Sequence, residues 1–211
     1  MLMKFNRILV LSPHTDDAEL GCGGSLLKWK SQGASIHITC FSSCPESLLP
    51  GWDANSTITE FKSVMHEHGF EYSLYNFPVR IFDQYRQRIL DTIIRDIESF
   101  NPDLLIIPSP GDLHQDHAVI SNEGVRAFNG SIICWEPYRG NFVPNFFVSL
   151  SLKNVKAKIR MLSTYESQLA KGRRYFSGRM VHAKAIFRGA NINTDYAEAF
   201  HLIQMISNDI K

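Results

Sequence analysis

Arg7-Ile8-Leu9-Val10-Leu11-Ser12-Pro13-His14-Thr15-Asp16-Asp17 begins as an unbroken apolar run and ends in one imidazole and two adjacent carboxylates. A run of Ile, Leu and Val without polar alternation suits a strand buried on both faces, as in a parallel sheet. The polar group therefore stands at the carboxyl end of a first strand, where open α/β sheets place their ligand crevice. A second apolar run, Leu104-Leu105-Ile106-Ile107, leads in the same way into His114-Gln115-Asp116-His117. Two His/Asp clusters, far apart in sequence but alike in context, predict one site assembled from two loops.

Working outward, strand-like runs recur at 7–12, 35–41, 72–77, 103–108 and 131–135, and helical patterns at 18–32, 57–69, 82–100, 117–128 and 154–170. This alternation predicts an α/β fold with a mainly parallel sheet. In the third helix Ile89, Ile93, Ile94 and Ile97 recur at helical spacing among charged residues, and Asn101-Pro102-Asp103 ends it. Residues 42–57 have no period and contain two prolines and a glycine, so they read as a long loop, either a lid or a passive connection. After Leu150 the rhythm fades, and Arg173–Asn193 carries no assignment.

A chain of 211 residues, 44% hydrophobic and 20% charged, supports one buried core, and one domain is expected over 1–211. The net charge of +1 gives no nucleic-acid surface. A small basic group at Lys171, Arg173 and Arg174 reads either as a solvated loop or as a contact for an anionic substrate group. No apolar run reaches the roughly 18 residues of a membrane span. A cytoplasmic protein without a membrane partner is expected. Cys22, Cys40, Cys44 and Cys134 form no CxxC pair, so they are expected to be reduced core residues rather than metal thiolates.

A catalytic divalent-metal site, zinc above all, uses three nitrogen or carboxylate ligands and keeps a position for water. His14, Asp17 and His117 supply that set, and Asp16 beside them is the candidate general base. Taken alone, an Asp-Asp pair before a helix also suits capping and the helix dipole; the recurrence of His and Asp at a second strand end favours the metal. Gly21, Gly23 and Gly24 do not form GxGxxG and fall past the strand end, so close packing explains them better than phosphate binding. His66 and His68 point to different helix faces, and His37, His182 and His201 have no clustered partners.

Ser12-Pro13-His14-Thr15-Asp16-Asp17 with Gly23-Gly24, and His114-Gln115-Asp116-His117, resemble the PHPDD and HxxDH motifs of the PIG-L/LmbE-like zinc deacetylases. Asn101-Pro102-Asp103, Tyr165-Glu166-Ser167-Gln168 and Tyr196-Ala197-Glu198-Ala199-Phe200 are similar to further segments in the same order. The resemblance implies a Rossmann-like three-layer sandwich that removes an acetyl group from an N-acetylglucosaminyl conjugate. It places zinc, or another divalent metal, on His14, Asp17 and His117, with Asp16 as base. It makes His114 the acid and oxyanion-stabilising group, oriented by Asp116, and Arg80 a contact for sugar hydroxyls. It also implies a small-molecule partner and is compatible with a homo-oligomer. Thr15 departs from the usual proline, which should alter the rigidity of the turn without disturbing ligation. Glu198 is expected to be structural and buried through pairing. Specificity is expected in 42–57 and Trp135–Phe146. The alternatives are hydrolysis of another amide or an ester, a nucleotide-binding module, which would need a glycine turn at the strand end, and a structural zinc protein, which would need a fourth ligand.

Overall fold

In the computed structural model, which describes residues 4–206, the first run forms β1 (Arg7–His14), an interior strand of a seven-stranded sheet. Its Ile8, Leu9, Val10 and Leu11 are completely buried, as a strand covered on both faces must be. Parallel neighbours are β2 (Ser35–Ser42) and β4 (Leu104–Ile107); β3 (Glu71–Leu74) pairs with β2 and β5 (Ser131–Trp135) with β4. Two strands lie beyond the predicted set. These are β6 (Phe146–Leu150) and β7 (Tyr196–Gln204), antiparallel to each other, with β7 antiparallel to β5. The order is β3-β2-β1-β4-β5-β7-β6.

Helices cover both faces. Ile8 and Val10 pack with α1 (Asp17–Ser31), α2 (Ser56–His68), α5 (Leu152–Ser163) and α7 (Gly178–Ala190). Leu9 and Leu11 pack instead with α3 (Arg86–Phe100) and α4 (Gln115–Ala127). This is the expected three-layer α/β sandwich. The predicted helix 82–100 divides into a 3₁₀ turn, Phe82–Tyr85, and α3; the predicted helix 154–170 divides into α5 and the single turn α6 (Glu166–Leu169). Chain order reverses between β1 and β4, since β2 and β3 lie on one side and β5 on the other. The crevice at this switch point is where both His/Asp clusters emerge.

α1 is not continuous. Cys22 leaves helical geometry (φ −140°), which uncouples the Leu20 carbonyl from the Gly24 amide. Glu198 of β7 accepts from the Gly24 and Ser25 N–H groups at 3.1 and 2.6 Å, and Lys158 of α5 donates to Leu20 O at 2.8 Å and to Glu198 at 2.6 Å. The buried Lys158–Glu198 pair thus repairs the break from outside the helix, the pairing anticipated for Glu198. Burial opposes the Lys158 charge, but Glu198 outweighs it and raises the pKa. The close approach also accounts for the glycines: a Cβ on Gly21 would lie 2.6 Å from the Trp135 ring, and one on Gly24 would lie 2.7 Å from Leu150.

Candidate metal-dependent active site

The turn after β1 brings Asp17 back onto His14. One Asp17 oxygen accepts the His14 backbone N–H at 2.9 Å and faces His14 Nδ1 at 2.9 Å. The same oxygen lies 3.1 Å from His117 Nε2, contributed by the first turn of α4. Both ring separations approach the edge of about 3.3 Å that metal–ligand bonds of about 2.0–2.1 Å imply for a tetrahedral ion. The outer nitrogens are held as metal-binding imidazoles usually are, by carboxylates. His14 Nε2 lies 3.2 Å from Asp116, and His117 Nδ1 lies 2.7 Å from Asp112. The chain's donor chemistry therefore fits a divalent ion. Donor nitrogens of His14, His114 and His117 also lie within 4.8 Å of one another, so His114 borders the same point.

Asp112 was not singled out from sequence. Its signal was a short carboxylate on the loop leading to two histidines, but a five-residue separation from His117 gives no contact without the loop's geometry. Asp116 requires a correction. Its carboxylate does not orient His114; it meets His14 and the backbone N–H of Arg80, at 3.2 and 2.7 Å. Only its backbone N–H reaches His114, donating to Nδ1 at 3.3 Å. That contact leaves the ring proton of a neutral His114 on Nε2.

Asp16 occupies the N-cap position of α1, yet its side chain makes no capping bond and lines the cleft. Burial and the adjacent Asp17 charge push its carboxyl up to about 6. Burial opposes the His117 charge, but Asp17 and Asp112 outweigh it and lift the ring to about 9 in the metal-free chain. His114 moves the other way: burial, then the charges of His117 and His14, lower it to about 4, which favours a neutral ring. Arg80 is exposed and has a left-handed backbone (φ 69°), a strained geometry for a long side chain. Asp116 secures its N–H, and Gln115 donates to its carbonyl.

The site opens into a cleft of about 490 Å³. Cys44 and Ser47 from the irregular 42–57 segment line it, as do Tyr138 and Arg139 from the predicted specificity segment. Lys171, with Arg173 and Tyr175 from the stretch without a clear sequence pattern, completes a wall. All four cysteines are buried and unpaired. No helix among the described residues is long and apolar enough to cross a membrane.

An open α/β sheet with this His/Asp constellation at its switch point is suited to hold a divalent ion. The GlcNAc-PI de-N-acetylase (PIG-L) family model matches residues 9–128, more than half of the chain, and the chain belongs to that family. It is 22% identical over 228 aligned positions to diacetylchitobiose deacetylase of Thermococcus kodakarensis, covering 93% of this chain and 83% of the relative. Among solved structures, the A40926 pseudoaglycone deacetylase Dbv21 superposes with a TM-score of 0.79 at 18% identity, over 96% of this chain and 99% of that one. GalB, the 4-carboxy-2-hydroxymuconate hydratase of Pseudomonas putida, superposes with a TM-score of 0.73 at 16% identity, over 98% and 100%.

Proposed function

We propose that the protein is a metal-dependent N-deacetylase that hydrolyses the acetamide of an N-acetylated amino sugar, giving acetate and the free amine. The observation that carries this reading is the meeting of His14, Asp17 and His117 at one point, beside an Asp16 carboxylate that neither caps its helix nor pairs with a base among the described residues. The family membership and the deacetylase named among the relatives support it. Buried, unpaired cysteines suit a reducing compartment, and on that basis we assign the protein to the cytoplasm.

His14 Nδ1, Asp17 Oδ2 and His117 Nε2 are the assigned ligands. A zinc ion or a similar divalent ion bound there supplies Lewis acidity at the acetyl carbonyl and acidifies a water. Asp16 takes the proton released as water adds to the carbonyl carbon, a task that suits a carboxyl poised near 6. His114 donates from Nε2 to the oxygen that becomes negative. As the C–N bond breaks, the proton on Asp16 passes to the departing nitrogen, returning the site to its starting charge. Asp116 and Asp112 keep the two imidazoles oriented, and the Arg80 side chain faces the sugar hydroxyls. A nucleotide-binding role would need glycine where Thr15, Asp16 and Asp17 stand.

The test is incubation of metal-loaded protein with a panel of N-acetylglucosamine conjugates, following amine and acetate together. Equimolar release is expected. Full metal content with no acetate from any conjugate overturns the reading, and water addition without acetate release would place the chain with hydratases such as the Pseudomonas putida neighbour.

A further inference from the structure

We propose that the short backbone ladder between Gly111–Leu113 and Arg139–Asn141 is a positioning element of the metal site: it holds Asp112 against His117, and affinity for the metal depends on it. This rests on the assignment of His117 as a ligand in the deacetylase reading and adds a determinant that lies outside the ligands and their motifs.

Asp112 serves two residues at once. One carboxylate oxygen meets His117 Nδ1 at 2.7 Å and the other accepts the His114 N–H at 2.9 Å, so a single side chain orients both histidines of the open loop. A carboxylate on the outer nitrogen fixes the ring and its tautomer, and it does so only while its own backbone stays in place. That backbone has little local support. Within its own loop Asp112 is held by one N–H bond to Ser109 O, and the loop lies between β4 and α4 without belonging to either.

The remaining support comes from the segment after β5. The Asn141 N–H donates to Gly111 O at 3.0 Å and the Leu113 N–H to Arg139 O at 3.1 Å, which sets Asp112 opposite Gly140 as a non-hydrogen-bonded antiparallel pair. Backbones come closest at such a pair, and here the approach requires glycine on both sides. A Cβ on Gly140 would run into Gly111 O, and one on Gly111 into Asn141 O. Gly140 also has φ 141°, a geometry that L side chains rarely adopt. The segment is anchored in turn on α7. Arg188 Nε donates to the Glu136 carboxylate at 2.9 Å, and Lys184 donates to the Glu136 carbonyl at 3.1 Å with its ammonium 4.1 Å from the centre of the Tyr138 ring. Contacts therefore run without a gap from α7, which supplies no ligand, through the ladder to His117. Tyr138 and Arg139 line the cleft as well, so the wall facing the occupant and the loop orienting the ligand share one piece of backbone.

The experiment measures zinc affinity of the full chain by competition with a chelator, with the melting temperature of the metal-free chain recorded beside it. Gly111→Ala and Gly140→Ala should each weaken zinc binding about 10–100-fold, the loss that follows release of a ligand's outer partner, with little change in the metal-free melt. Asn141→Ala keeps the N–H that bonds Gly111 and should match wild type. In an Asp112→Ala background, Gly111→Ala should cost less than about twofold more, because the side chain through which the ladder acts is already gone. Wild-type affinity in both glycine variants, or full additivity with Asp112→Ala, overturns the inference. So does a fall in metal-free melting temperature large enough to account for the lost affinity, since the ladder would then serve the fold alone. Zinc binding indifferent to His117→Ala removes the ligand assignment and the inference with it. Zinc binding that needs His117 and follows the ladder, in a protein that releases no acetate from any N-acetylglucosamine conjugate, leaves the inference standing and removes the deacetylase reading.

Discussion

The turn after β1 and the loop after β4 both deliver imidazoles and carboxylates to the cleft, but they are secured by different means. Ser12 Oγ braces the first turn, donating to His14 O at 2.6 Å and accepting from Ala18 N–H at 3.1 Å. The Tyr165 hydroxyl donates to Thr15 O at 2.7 Å, and Thr15 itself is buried. Residues 109–114, in contrast, rest on an Asp112 amide bonded to Ser109 O at 3.0 Å and an isolated bridge from Asp112 to Gly140, while Leu113 stands 71% exposed. One half of the site is therefore sealed into the core, and the other lies open to solvent. Changes beneath the first turn should act on the fold, and changes in the second loop should act on the occupant of the cleft.

The sharpest division between neighbours should come from the two adjacent carboxylates of the sealed turn. Asp16→Asn is expected to keep the metal and lower kcat about 10²–10⁴-fold, whereas Asp17→Asn should lose the metal as well. Metal analysis beside steady-state kinetics reads both, and zinc loss in Asp16→Asn alone would exchange the roles. Next in size is Glu19, which lies wholly buried under the same turn with both oxygens unpartnered, because Tyr165 gives its proton to Thr15. Burial pushes its carboxyl from 4.5 to about 8, so the folded chain keeps a proton that the unfolded chain releases. The folded-state pKa is raised, so this contribution is full below pH 4.5 and declines as pH climbs to about 8. Glu19→Gln abolishes the titration; denaturant melts of metal-free protein should show wild type losing a few kcal/mol relative to the variant across that window. A constant difference between the two proteins would place a partner beside Glu19.

In the open loop the effect should fall on affinity. Asp112→Asn is expected to weaken metal binding about 10–100-fold by releasing His117, with little change in the melting temperature of the metal-free chain. Asp116→Asn disturbs both the His14 contact and the strained Arg80 backbone, so it should also raise KM. Competition against a chelator and substrate titration separate the two, and identical behaviour would remove the link to Arg80. The smallest effect is that of Tyr165→Phe, which leaves the buried Thr15 carbonyl without its donor. A loss of about 1–2 kcal/mol in unfolding free energy is expected, with the ligand set unchanged.

β1 and β4 were legible because each stacks branched apolar residues without interruption and ends directly in the chemistry. β7 was not, since Glu198 interrupts its apolar pattern and its burial is explained only by the distant break at Cys22. α7 begins and nearly ends in glycine, at Gly178 and Gly189, which weakens any helical signal. The ligand candidates were legible as residue types at strand ends. The partner of Asp116 was not, because the ring it meets comes from 102 residues away, while His114 is its neighbour in sequence. Long-range pairing of this kind leaves no local period.

The interruption of α1 also sets the smallest piece of this molecule that can stand alone. The family model ends at residue 128, and all the assigned metal ligands precede that point. A fragment cut there would still contain α1, but Leu20 O and the amides of Gly24 and Ser25 would have lost Lys158 and Glu198. Three orphaned backbone groups beside the first turn would loosen the helix that carries Asp17. The reactive groups belong to the first part of the chain, but their persistence as a folded object depends on the last strand, so shortening the protein to its motif-bearing portion should yield an unstructured polypeptide rather than a minimal enzyme.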